Sequence, residues 1–135
     1  MRKTATVFAS ISGCAAVILG AFGAHGLSKM DIKPESLHAY DTAAHYQLLH
    51  AIALLAIAAL PTMFTKYFKA IAYLFIIGVI FFSGSLYLLI LGDYLKIDLK
   101  SVVGPITPLG GFCLIAGWFT LFLSALKYKE APNNQ

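Results

Sequence analysis

The chain has 135 residues, with ten Lys and Arg against six Asp and Glu, and a formal net charge of +4. Hydrophobic residues make up 59% and charged residues 12%, with a mean hydropathy of +0.79. Soluble domains carry roughly 25% charge, so this composition excludes a disordered chain and argues against a water-soluble globule. The lysines are scattered rather than striped, which gives no support to nucleic-acid binding. A single membrane domain over residues 1–135 is expected, folded as an all-α, integral membrane four-helix bundle.

Charges divide the chain into four apolar runs, at about residues 4–24, 46–64, 70–91 and 108–126. Each approaches the ~20 residues that a helix needs to cross the hydrocarbon core. Unbroken apolar runs without alternation favour helices over barrel strands.

The first run follows Arg2 and Lys3, as a secretory signal would, and Ile11-Ser12-Gly13-Cys14 looks like a lipoprotein cleavage box. A signal passes into polar sequence near its cut, whereas here Ala15 to Ala24 continues the run, so a retained helix is expected. Ser12, Ala16, Gly20 and Ala24 recur every four residues, and Ala5, Ala9 and Gly13 form a second series. Small residues at this spacing let helix backbones approach closely in lipid. Ser12, Gly13, Ala16, Gly20 and Ala24 are therefore expected helix-contact positions. They fit ordinary burial of a central helix, or a subunit contact.

Residues 34–45 lie between the first two runs. Pro34 followed by Glu35 is a helix-start signal. A short amphipathic helix is expected here, running into the second span or bending near it.

The fourth span opens on Gly104-Pro105-Ile106-Thr107-Pro108-Leu109-Gly110-Gly111. A residue before proline is pushed away from helix, so Gly104 and Thr107 are expected to be extended or turn-like. Thr107 then acts as N-cap and Pro108 opens the helix, with Pro105 and Pro108 together marking its start. Residues 101–106 are expected to be irregular, as a tucked plug or part of a site.

Lys and Arg near span ends set orientation. Arg2, Lys3, Lys66, Lys69, Lys127 and Lys129 fall on the side of the termini, and Lys29, Lys33, Lys96 and Lys100 on the other. Five of the six acids share that second side, which points to cytoplasmic termini.

Polar residues in or beside the spans are few: His25, Gln47, His50, Ser83, Ser85, Tyr87 and Thr107. Under this topology all fall in the half of the bilayer away from the termini, which suggests a polar pocket or a hydrogen-bonded plug near the outer surface. An ionisable residue within a span, such as His50, is a functional candidate by default. The competing reading is a histidine bonded to neighbours across a helix seam, as membrane helices commonly use.

Other chemistry is weaker. His25, His38, Asp41, His45 and His50 are numerous enough for a metal, but they do not follow a known ligand spacing. Paired histidines as haem ligands have no second haem feature beside them. His38, Asp41 and His45 fit a solvated helix face. Ser83 and Ser85 lack the turn context of a nucleophile, and serines in membrane helices usually bond a preceding carbonyl. Cys14 and Cys113 behave as small apolar residues. No catalytic residue, metal or cofactor is expected.

Four stretches, Gly20–Leu27 (GAFGAHGL), Tyr46–Leu55 (YQLLHAIALL), Phe82–Leu89 (FSGSLYLL) and Gly104–Gly111 (GPITPLGG), appear in order, with Ala116-Gly117-Trp118 after them. Together they resemble the small membrane proteins of domain-of-unknown-function family 423, the YgdD-like proteins. The resemblance spans most of the chain and implies a four-span protein of the plasma membrane, with no activity attached. His25, Gln47, His50, Ser83, Ser85, Thr107 and Pro108 fall on the shared stretches, whereas His38 and His45 do not.

The expected function is non-catalytic binding or interaction through the polar cluster, with a small ligand, a lipid headgroup or a partner helix. The expected partners are membrane lipid and, as an open question, a second copy of the chain, with no nucleic acid. Two alternatives stand beside it: an oligomeric small-solute transporter or channel, and a histidine-dependent redox or metal protein.

Overall fold

The structure is a computed structural model that describes residues 1–60 and 66–128. It contains α1 (Arg2–His25), α2 (Pro34–Ala59), α3 (Phe68–Leu95), the single turn α4 (Lys100–Val103) and α5 (Ile106–Leu126), with a 3-10 turn at Leu27–Lys29. Each expected span lies on one of the long helices. Residues 61–64, expected to finish the second span, lie outside the described residues, as do Lys129 and Glu130. Among the described residues four helical segments are long and apolar enough to cross a membrane, α4 and α5 counting as one.

Pro34 does open a helix, at its first position and beside Glu35. The expected surface helix is not a separate element. It forms the first turns of a continuous 26-residue α2. Nothing between Pro34 and Leu60 can break a helix, since the segment holds neither proline nor glycine.

Helices α1, α2, α3 and α5 run antiparallel, α1 against α2, α2 against α3 and α3 against α5. Extensive contact between α1 and α5 is absent among the described residues, so the bundle is an open row rather than a closed ring. Apolar side chains on the outer faces of the end helices, such as Ile11, Ile18, Phe112 and Ile115, are exposed. In a bilayer this surface meets acyl chains.

The row is held differently at each seam. Between α3 and α5 the backbones nearly touch. A Cβ added at Gly110 would strike the backbone of Phe82, and at Gly78 and Gly117 it would strike Leu114 and Phe75. The α1–α2 seam uses Ala5, Ala9, Ser12, Ala16 and Gly23 from α1, all buried. Gly13 is half-buried, with its added Cβ 3.8 Å from Ala51. Gly20 is half-buried with no close neighbour, and Ala24 is exposed. The expected four-residue series therefore leaves the seam after Ala16. At 3.6 residues per turn, each step of four rotates by about 40°, so Gly20 and Ala24 drift off the face that Ser12 begins.

Both ends of α2 are held by charges from its neighbours. At the C-terminus, Arg2 Nη1 donates to the carbonyls of Ile57 (3.3 Å) and Ala58 (3.0 Å), and its guanidinium lies 4.3 Å over the Phe68 ring. At the N-terminus, Asp93 Oδ2 accepts from Ser36 Oγ (3.0 Å) and the Lys33 amide (3.4 Å). A cation at the C-terminus and an anion at the N-terminus both complement the helix dipole.

The fourth span departs from expectation. Gly104 is helical (φ −51°, ψ −48°), Pro105 takes the cap position, and α5 begins at Ile106. The clash that normally keeps a residue before proline out of helix partly involves its Cβ, which glycine lacks. Thr107 is inside the helix, not its cap, and its hydroxyl bonds sideways instead. Pro108 is then the third helical residue, where its missing N–H would have had no partner. Residues 100–103 form one helical turn, and Val103 tucks inward at 2% exposure.

Candidate functional site

The expected polar residues largely meet, but they spend their hydrogen bonds on one another. Gln47 is buried between α1 and α3. Its Nε2 donates to the Ser12 carbonyl (2.9 Å), and its Oε1 accepts from Tyr87 Oη (2.9 Å). Side chains lean toward the N-terminus of their helix, so on antiparallel α2 and α3 they lean toward each other. That lean lets Tyr87 span the gap to Gln47 while its ring lies edge-on to Tyr40, 5.1 Å away.

Ser83 Oγ donates to the Ala43 carbonyl (2.9 Å), joining α3 to α2. Ser85 and Thr107 share a 2.7 Å hydroxyl contact that joins α3 to α5. The Ser12 hydroxyl is buried without a hydrogen bond among the described residues.

His50 is 2% exposed and lies deeper than the rim. At 1.5 Å per residue it is about 14 Å from the Ala59 end of α2. Its Nδ1 is 2.7 Å from the Tyr46 carbonyl, and its Nε2 is 3.0 Å from Trp118 Nε1. A carbonyl only accepts and an indole N–H only donates. The ring is therefore neutral, with its proton on Nδ1. Tyr46 stacks on the ring, while Phe75 and Trp118 meet it edge-on. Metal or haem ligation by His50 would require breaking one of its two hydrogen bonds.

His25 stands apart. It ends α1, is exposed, and takes part in none of the cluster's hydrogen bonds. His38, Asp41 and His45 are exposed as well. Among the described residues no three His, Cys, Asp or Glu side chains converge, so the five candidate ligands do not assemble.

The open space lies elsewhere. A groove of about 670 Å³ sits at the end away from the termini, between the start of α2, the end of α3 and the start of α4. None of the seven cluster residues lines it. Its charged walls are Asp31, Lys33, Asp93, Lys96, Asp98 and Lys100, and Ile32, Leu89, Ile97 and Leu99 supply apolar surface. Lys33 Nζ is 3.1 Å from Asp93 Oδ1. Lys96 is 3.9 Å from Asp31, with both side chains almost fully exposed.

Lys96 caps α3 in the left-handed conformation, with φ at 58°, and is the one non-glycine residue with positive φ among those described. The amide of Ile97 then returns to the Gly92 carbonyl (2.8 Å). Glycine is the usual choice at such a cap. A lysine there holds its charged chain over the groove at a cost in backbone strain.

Sequence reasoning missed three contributors. Trp118 carries an indole N–H in an apolar span, which is itself a signal that an acceptor must face it. Arg2 was read for a signal-like start and for orientation, although a guanidinium beside a helix end can cap its carbonyls. Asp93 sits just past the third apolar run, one of the charges that bound the spans. Its role as anchor of a distant helix start has no local signature.

The family described as "Protein of unknown function (DUF423)" matches residues 19–111, from the last turns of α1 to the first turns of α5. The chain is 35% identical over 130 residues to a Haemophilus influenzae UPF0382 membrane protein, covering 96% of this chain and 99% of that one. It is 34% identical over 128 residues to the Bacillus subtilis UPF0382 membrane protein YwdK, covering 93% and 98%. A Schizosaccharomyces pombe UPF0382 membrane protein is 35% identical over 115 residues, covering 85% and 95%. No solved structure matches the chain. Four apolar helices, and similarity over nearly full length to proteins named for the membrane, lead to one conclusion: the chain belongs to the DUF423 family of membrane proteins.

Proposed function

We propose that the protein is a non-catalytic binding module of the cytoplasmic membrane, whose rim groove is its site and whose interior cluster is its frame. One contrast carries this reading. The side chains of Gln47, His50, Ser83, Ser85, Tyr87 and Thr107 all hydrogen-bond within the protein. In the groove, Lys100 Nζ has no ion pair among the described residues, and Asp98 uses only Oδ1, on the Lys100 amide. Charges with spare valence at an open cavity are what a polar ligand needs.

Native mass spectrometry of the full chain from mild detergent tests it. The expected result is a retained small molecule or lipid that disappears when Lys96, Lys100, Asp31 and Asp98 are neutralised together. An adduct indifferent to those four residues rules the groove out as the site.

The same reading puts both termini in the cytoplasm, supported by Arg2, Lys3, Lys66, Lys69 and Lys127 near that end. A C-terminal reporter active only in the cytoplasm should then be active, and activity of a periplasm-only reporter instead would reverse the topology.

A further inference from the structure

We infer that the rim groove seats the zwitterionic phosphate–primary ammonium headgroup of a membrane phospholipid. The inference rests on the groove being the binding site, and it adds the ligand's chemistry.

The first support is charge balance. Three lysines (Lys33, Lys96, Lys100) face three aspartates (Asp31, Asp93, Asp98). Lys33 and Asp93 satisfy each other at 3.1 Å, and Asp93 also holds the start of α2. Two cations and two anions remain. Their one ion pair, Lys96 with Asp31, is 3.9 Å long with side chains 78% and 105% exposed, so water screens it heavily. A ligand of net negative charge would meet Asp31 and Asp98 as well as the lysines. A ligand with one anion and one cation satisfies both sets.

The second support is the missing aromatic wall. Quaternary ammonium groups have no N–H to donate and are recognised by aromatic cages. Among the described residues no aromatic side chain lines this groove. Carboxylates instead suit a primary ammonium, which donates three hydrogen bonds in the manner of a lysine side chain. The phosphate matches Lys96 and Lys100.

The third support is location. The groove lies where three spans end, at the depth of lipid headgroups. Ile97, which lines it, is exposed, as are Leu95 and Val102 on the segments that build it, an apolar surface that water does not favour. Its volume of about 670 Å³ is that of a small-ligand site, and it is only partly enclosed. An acyl-bearing headgroup can enter such a groove sideways from the bilayer. Free phosphoethanolamine shares the headgroup chemistry but gains nothing from the apolar surround.

The test uses the full chain in mild detergent with equal amounts of phosphatidylethanolamine, phosphatidylcholine and phosphatidylglycerol, read by native mass spectrometry. Phosphatidylethanolamine should be retained about tenfold over each of the others, equivalent to ~1.4 kcal/mol. The double change Lys96→Ala with Lys100→Ala should lower retention of all three lipids. The double change Asp31→Asn with Asp98→Asn should erase the preference while phosphate binding persists. All four residues are exposed, and unchanged helix content with unchanged emission of the single tryptophan, Trp118, verifies folding in each variant.

Groove-dependent retention that favours phosphatidylglycerol or phosphatidylcholine overturns the ligand class and leaves the groove as a site. Retention blind to both double changes overturns the site and the ligand together. Free phosphoethanolamine binding as tightly as the lipid overturns the membrane source.

Discussion

The interior cluster is built of neutral polar side chains and the rim groove of charged ones, and the two stand in opposite states of pairing. In the interior, Tyr87 donates to Gln47, Gln47 to Ser12, Ser83 to Ala43 and Trp118 to His50. At the rim, Lys96 and Asp31 barely reach each other, and Lys100 has no charged partner among the described residues. Burial in a bilayer explains the first state, because an unpaired polar group in hydrocarbon costs several kcal/mol. Water at the rim permits the second. In a small membrane protein, polar side chains deep in the spans thus read first as stitching. Chemistry is better sought where charges are numerous and poorly paired.

The largest expected effect comes from separating the helices that the cluster joins. Gly110→Leu would drive a side chain into the Phe82 backbone and should destabilise the fold by about 3 kcal/mol or more, measured by denaturant unfolding in detergent micelles. Next comes Gln47→Leu, which strands the Tyr87 hydroxyl and removes the second bond to the Ser12 carbonyl, which keeps its bond within α1. Hydrogen bonds between membrane helices average about 0.6 and reach about 1.7 kcal/mol, so losing two should cost about 1–2 kcal/mol in the same unfolding measurement. Lipid retention should be unaffected.

A double-mutant cycle of His50→Leu and Trp118→Phe should return a coupling of about 0.6–1.7 kcal/mol. Zero coupling would mean that the His50–Trp118 bond is not a stitch. Lys96→Gly should do the reverse of the interior changes. It relieves the left-handed cap and should raise stability by about 0.5–1 kcal/mol, while lowering lipid retention. Smallest for the fold is Lys100→Ala, within about 0.5 kcal/mol of the parent, as expected for a surface residue. Its signature should appear only in the retained lipid.

The four spans were legible because apolar runs bounded by charges leave few alternatives in a membrane. Pro34 announced the start of α2 through local chemistry alone. The start of α5 was misread because the proline rule was applied to Gly104 as if it had a Cβ, and because the sideways bond of Thr107 to Ser85 depends on a helix 22 residues away in sequence. In the stripe from Ser12 to Ala24, Ser12 and Ala16 are buried and Ala24 is exposed, since a strict four-residue repeat outruns the turn of a helix. The polar residues that meet inside the bundle can be picked out as polar groups in spans. Their satisfaction could not be read, because Ser12, Ala43 and Tyr46 act through carbonyls, which every residue possesses. The groove stayed hidden because three distant segments build it, and each looks like an ordinary charged loop.

The central claim is that the interior holds the fold while the rim binds. The most direct measurement is lipid retention, by native mass spectrometry, in two folded variants side by side: Tyr87→Phe in the cluster and Lys96→Ala with Lys100→Ala in the groove. Retention should stay at the parent level in Tyr87→Phe and fall about tenfold in the lysine pair. Loss of lipid in Tyr87→Phe with full retention in the lysine pair would contradict that claim.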